Sequence, residues 1–205
     1  GSSSSKNEVP SSEIVIKSST KTLQNADHRS QPPVTFKSLY FDAPGPVIFK
    51  FFRRFGCLFC KEAATDLIGL KPTLDAKFGD GKVTLIGIGL ENFGYDEFKR
   101  GKFFPERMYI DETHDLYRSA GFIDLNFFSI MGKLCKKRRR ERRKEAMQKG
   151  FSGNLKGEKS QLGGMLIISP EGDLLFYYKQ KEFWDEPTHE EIINAIQSFY
   201  NRQNP

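Results

Sequence analysis

Cysteine, histidine and tryptophan are scarce in this sequence, at three, three and one among 205 residues. So few cysteines in a chain of this length exclude a disulfide-stapled scaffold. No run approaches the roughly 18 consecutive apolar residues of a membrane span, so a soluble chain is expected. No internal repeat is visible. Gly87-x-Gly89 lacks the third glycine of a dinucleotide fingerprint and lies within a strand pattern, which makes it a close-packing pair. The chain opens on Gly1-Ser2 rather than methionine, which reads as a cleavage scar from expression and is compatible with a removed signal or anchor. What remains is 38% apolar and 28% charged, a globular composition long enough for one domain with a sizeable core.

The formal net charge of +6 is a local property. Ten bases and two acids fall between Lys133 and Lys149, which leaves the rest of the chain at −2. A nucleic-acid-binding domain would spread its bases over a folded face and interleave them with aromatics. The bases of this block occupy every side of a helix without an apolar stripe, so a solvated helix is expected and a buried one is excluded. Weak contact with an anionic membrane or with nucleic acid through residues 133–149 is the functional alternative. Cys135 lies beside this charge and is a weak candidate for a further redox centre.

Residues 1–31 are rich in Ser, Asn, Lys and Thr and read as a disordered tail, with Glu13-Ile-Val-Ile-Lys17 as its one hint of a short strand. From residue 32 the pattern becomes that of a folded domain running to 205. Val47-Ile-Phe-Lys-Phe-Phe52 reads as a buried strand. Cys60, Ala64, Leu67, Ile68 and Leu74 then recur at helical spacing, predicting a helix over 58–78 that Pro72 should kink or split. A second buried strand follows at Val83–Leu90, and then a helix through Asp96 to Lys99. An edge strand is expected at Met108–Asp111 and a short helix at Glu112–Ala120. After the basic insertion at 131–149, strands are expected at Gly163–Ile168 and Asp173–Lys179. A terminal helix runs from Pro187 to Tyr200. A βαβ half followed by a ββα half is the thioredoxin arrangement. The expected fold is therefore α/β, a central mixed sheet flanked by helices, with a basic helical insertion.

Chemistry concentrates at Cys57 and Cys60. The first is delivered by a buried strand to the start of a helix, where unpaired N–H groups and the positive dipole end favour a thiolate. Arg53 and Arg54 are candidates to add positive charge. The second cysteine, one turn on, is in reach of a sulfenic acid or mixed disulfide formed at the first. A zinc site would need two more ligands, and Cys135, His28, His114 and His189 offer no second paired spacing. No metal and no bound cofactor are expected. His114 and Asp115 read as surface helix residues, and Trp184 as a packing residue near the last strand.

Phe52-Arg-Arg-Phe-Gly-Cys-Leu-Phe-Cys-Lys-Glu-Ala63 resembles the active-site segment of the peroxiredoxin-like 2 family. Gly150-Phe-Ser-Gly-Asn-Leu-Lys-Gly157, continuing to Leu162-Gly-Gly164, is a second match. The resemblance runs from about Thr35 to Ile196 and is closest to the peroxiredoxin-like 2A and selenoprotein U branch, which is related to prostamide/prostaglandin F synthase. It implies a thioredoxin-like fold and a cytoplasmic antioxidant or thiol-redox enzyme acting through the Cys pair. Selenocysteine matches Cys57 in some selenoprotein U members, which implies that Cys57 attacks. Typical peroxiredoxins carry Thr or Ser where Arg54 stands and Pro where Lys50 stands. Thioredoxins place a cis-proline where this chain has Leu162-Gly163-Gly164, and the two glycines would admit a substrate or partner backbone.

The resulting expectation is a thiol-dependent oxidoreductase that reduces a peroxide, endoperoxide or disulfide. Thioredoxin or glutathione would supply electrons, and NADPH would act only indirectly. Prostaglandin or prostamide F synthase is the alternative within enzymes. A redox-regulated adaptor docking through the basic insertion is the alternative outside them.

Overall fold

The computed structural model describes residues 13–122, 124–125, 137–154, 156–157 and 160–203. Its elements in chain order are α1 (Glu13–Ser18), β1 (Thr22–Asn25), β2 (Val34–Thr35), β3 (Val47–Phe51), α2 (Leu58–Phe78), β4 (Thr84–Gly89), α3 (Tyr95–Arg100), β5 (Arg107–Ile110), α4 (Asp115–Ser119), α5 (Lys137–Gln148), β6 (Gly164–Ile168), β7 (Leu174–Lys179) and α6 (His189–Gln203). The strands form one mixed sheet in the order β2-β1-β5-β4-β3-β6-β7. Strand β3 is internal to it, parallel to β4 and antiparallel to β6.

Alternation along β3 divides the core. Val47, Phe49 and Phe51 enter one apolar cluster with Ile86, Ile88 and Tyr117. Ile48 and Phe52 enter the other, with Leu67, Leu70 and Leu74 of α2 and Ile192 and Ile196 of α6. A period of two produces this split, because successive strand side chains face opposite ways. Lys50 takes the remaining α2-facing position and is buried against Glu186. Gly87 and Gly89 are close-packing residues, as expected. A Cβ at Gly87 would strike Met108 and Phe52, and one at Gly89 would strike Phe55.

Four expectations need correction. Residues 13–31 are not a disordered tail, since α1 packs by burying Val15 and Ser18, and β1 buries Leu23. Glu13–Lys17 is helical rather than extended. Its apolar run is too short for alternation to decide, and burial at i and i+3 together with a Glu13–Lys17 ion pair of 2.6 Å favours the helix. Strand β5 is not at the edge, because β1 pairs with it through Gln24–Ile110 and Asn25–Tyr109. Pro72 does not split α2, which runs continuously because the ring is exposed while Leu70 and Leu74 anchor the turns on either side. Residues 1–12, Cys135 and positions 131–136 of the insertion lie outside the described residues.

Candidate active site

The turn from β3 to α2 carries the cysteine pair. Cys57 has extended backbone angles (φ −81°, ψ 126°) and is the N-cap of α2, so its sulfur sits where the first N–H groups of the helix are unspent. Cys60 follows inside the first turn. Both are free thiols, and both are buried. They interact directly. A hydrogen bond from Cys60 lowers the Cys57 thiol well below the ordinary cysteine range, and the nearby Arg53 and Arg54 charges add to the effect. That same bond, together with burial, pushes Cys60 well above it. One sulfur is thus kept ionised and the other protonated.

Arg53 and Arg54 meet at this turn as expected. Arg53 Nη2 donates to Cys57 Sγ at 2.8 Å. Its guanidinium also lies 4.5 Å from the centroid of the Phe183 ring, a cation–π arrangement. Arg54 Nη1 donates to the Lys156 carbonyl at 2.7 Å, and its charge also acts on both cysteines. Gly163 and Gly164 are placed differently from expectation. Gly163 precedes β6 and Gly164 opens it beside Phe51, and a Cβ on either would strike the chain's own atoms, Phe51 O at one and Phe122 and the Tyr178 carbonyl at the other. The close approach that two glycines permit is made by the protein itself, not by a substrate. Neither residue lines the cavity over Cys57.

That cavity, of about 220 Å³, is lined by Arg53, Arg54, Cys57, Leu58, Phe59, Arg139, Arg143, Gly153 and Asn154. Six of these, all but Arg53, Arg54 and Cys57, were not among the residues expected at the site. Gly153 and Asn154 belong to the second matched segment, which closes directly on the first. Asn154 N–H donates to the Gly56 carbonyl at 2.9 Å. A Cβ on Gly153 would lie 2.5 Å from the Leu58 nitrogen. Only a residue without a side chain fits there. The signal was present in the sequence as two motifs read separately; their contact was not.

Arg139 and Arg143 come from the basic helix, which corrects its reading as solvated on all sides. Helix α5 docks one face on α2 with Ala146 fully buried. Arg142 and Lys149 both pair with Glu62, at 3.4 and 2.7 Å. Residues 139, 142 and 146 recur at helical spacing, so the docking stripe exists but is built mainly from arginine. A search for an apolar stripe cannot find it. Arg139 also approaches the Phe183 ring, 5.9 Å from its centroid.

Neither His114 nor Trp184 lines the cavity over Cys57. His114 has left-handed backbone angles at the start of α4. Trp184 packs with its ring centroid 5.9 Å from that of Phe59. Among the described residues no group of three or more His, Cys, Asp or Glu side chains converges to hold a metal ion, and no helix is long and apolar enough to cross a membrane.

Comparison with known proteins is consistent with this geometry. Residues 66–182 match the family described as AhpC/TSA antioxidant enzyme. The match begins just beyond Cys60. Prostamide/prostaglandin F synthase of Salmo salar is 36% identical over 83% of this chain and 82% of its own length. The human protein of that name is 37% identical over 70% of this chain and 71% of its own. Among solved structures, the Xanthomonas campestris bacterioferritin comigratory protein superposes with a TM-score of 0.58 at 13% identity, covering 90% of this chain and 94% of that one. Peroxiredoxin 6 of Arenicola marina gives 0.59 at 13% identity, covering 88% and 70%. These two establish the thioredoxin-like peroxiredoxin fold. With sequence similarity of this extent, the chain belongs to the AhpC/TSA antioxidant enzyme family, within its peroxiredoxin-like 2 group, and is a thiol-dependent oxidoreductase.

Proposed function

We propose that Cys57 is the attacking thiolate and Cys60 the resolving thiol in the reduction of a peroxide or endoperoxide. The observation that carries this reading is the 2.8 Å contact from Arg53 to the Cys57 sulfur, made while Cys60 also bonds to that sulfur. In the first step the Cys57 thiolate attacks one oxygen of the O–O bond. A sulfur–oxygen bond forms, the O–O bond breaks, and the departing alkoxide takes a proton from solvent. The sulfur is oxidised by two electrons and the peroxide is reduced by two. In the second step the Cys60 sulfur attacks Cys57, the sulfur–oxygen bond breaks, and the Cys60 proton leaves with the oxygen. A hydroperoxide thus yields an alcohol and water, and an endoperoxide yields a diol. An external dithiol then reduces the disulfide by exchange.

Thioredoxin or glutathione fits the reductant role, with NADPH acting upstream of it. A cytoplasmic setting fits a pair that must be returned to its reduced state. Prostaglandin or prostamide endoperoxide reduction is the second reading, favoured by the names of the relatives that are 36–37% identical. The exposed face of α5 (Arg138, Arg140 and Lys144 among others) supports weak contact with anionic membranes or nucleic acid. An adaptor role would rest on that face alone.

Thiol mass spectrometry after exposure to hydrogen peroxide, a lipid hydroperoxide and prostaglandin H2 tests the enzyme reading and selects the substrate. The wild type is expected to form the Cys57–Cys60 disulfide. Cys57→Ser should lose turnover by about 10³-fold or more, and Cys60→Ser should accumulate over-oxidised Cys57 or a trapped mixed disulfide. Turnover unchanged in Cys57→Ser would refute the assignment.

A further inference from the structure

The two sides of helix α5 carry different side chains. Arg139 and Arg142 are half-buried and Ala146 is buried on the docked side, where Arg142 and the adjoining Lys149 share Glu62. The acids of the helix are engaged as well, Glu145 by Arg142 and Glu141 by Lys137 at 3.9 Å. Arg140, Arg143 and Lys144 are exposed and pair with no carboxylate among the described residues. With Met147, which is 51% exposed, they fall at i, i+3, i+4 and i+7 and so form one stripe along the outer side. The stripe borders the candidate site, because Arg143 also lines the cavity over Cys57.

The chain outside residues 133–149 is at −2, so its positive charge is one-sided, and an extended anionic surface would both attract and orient it. Single-stranded nucleic acid is gripped by bases interleaved with aromatic rings, and α5 contains no aromatic residue. An exposed methionine among cations suits a bilayer instead. Long basic side chains keep their charge at the lipid phosphates while the apolar one enters the acyl boundary. We propose that Arg140, Arg143, Lys144 and Met147 dock the protein on an anionic phospholipid bilayer, with the mouth of the cavity over Cys57 turned toward the membrane. This rests on the membrane contact named above, chooses the bilayer over nucleic acid, and fixes where the thiol works rather than what it reduces.

Co-sedimentation of the reduced full-length chain with sucrose-loaded vesicles tests this without turnover. The vesicles are phosphatidylcholine alone or phosphatidylcholine with about one-third phosphatidylserine. At physiological ionic strength the wild type is expected to pellet with the anionic vesicles and to stay in solution with the neutral ones. Arg140→Gln combined with Lys144→Gln should weaken binding on the order of twentyfold, and Met147→Ser about threefold. Positions 140 and 144 are exposed and glutamine is a good helix former, so circular dichroism should be unchanged in the double variant. Alkylation of Cys57 by a bulky water-soluble maleimide, located by mass spectrometry, should slow on anionic vesicles and not on neutral ones. Equal binding to both vesicles, unchanged binding in the double variant, or unslowed alkylation of the bound protein would each overturn the proposal. Retention on polyuridylate at a salt concentration that already releases the anionic vesicles would assign the stripe to nucleic acid instead. A protein that pellets but reduces no peroxide leaves the docking standing and refutes the peroxidase reading; one that reduces peroxide without pelleting does the reverse.

Discussion

The two helices that meet over the cysteine pair are held by opposite kinds of force. Helix α2 buries Leu67, Leu70 and Leu74 against the sheet and α6. Helix α5 buries a single alanine, and its Arg142 and the adjoining Lys149 reach Glu62. Apolar burial is worth about 1.5–3 kcal/mol for a full leucine and is insensitive to salt. Partly exposed ion pairs contribute about 1 kcal/mol or less and weaken with ionic strength. Cys57 is therefore mounted on the helix held by apolar burial, and the cavity mouth on the one held by ion pairs.

The contrast can be broken most forcefully from the α2 side. Leu74→Ala should lower unfolding stability by about 2–5 kcal/mol in urea titration, because the side chain is completely buried and leaves a cavity. Gly153→Ala should cost about 1–3 kcal/mol, since its methyl group would collide with backbone atoms at Gly56 and Leu58. It should also slow alkylation at Cys57 by shifting the turn.

Next comes the sulfur itself. Lowering an acid's pKa keeps its anion present at lower pH. Iodoacetamide modification of Cys57 should therefore hold its plateau well below the ordinary thiol range and fall only in more acidic solution. Cys60, Arg53, Arg54 and Arg139 are the groups that face it. Arg53→Met should move the fall toward higher pH; an unmoved profile would show that Cys60 and the helix end suffice.

The smallest change in stability is expected on the α5 side. Glu62→Gln should alter global unfolding by about 1 kcal/mol or less, yet speed trypsin cleavage within 138–143, because it releases Arg142 and Lys149 together. Raising salt should mimic it in the wild type and leave α2 unaffected. If cleavage is unchanged, Ala146 and Phe183 carry the docking instead of the ion pairs.

Much of this was legible before any coordinates. The bounds of α2, the burial of β3 and the placement of Cys57, Cys60, Arg53 and Arg54 follow from local spacing, which period and capping rules read directly. Local rules fail where a partner remote in sequence decides. Strand β1 exists because β5 offers it an edge. Glu13–Lys17 is helical because of what Val15 and Ser18 are buried against. The docked face of α5 was unreadable for a different reason. Its stripe consists of cations, and its attractions come from Glu62 and the Phe183 ring, 80 and 44 positions away from Arg142 and Arg139 respectively. Gly163 and Gly164 show the reverse failure, in which a composition suited to ligand approach serves internal packing.

Phe183 has an implication of its own. The side chain that grips the sulfur and a side chain from the cavity entrance rest on the same benzene ring. Exchanging that ring for an aliphatic group would loosen both perches at once, so the partner of the Cys57 sulfur and the cavity entrance cannot shift independently at this position.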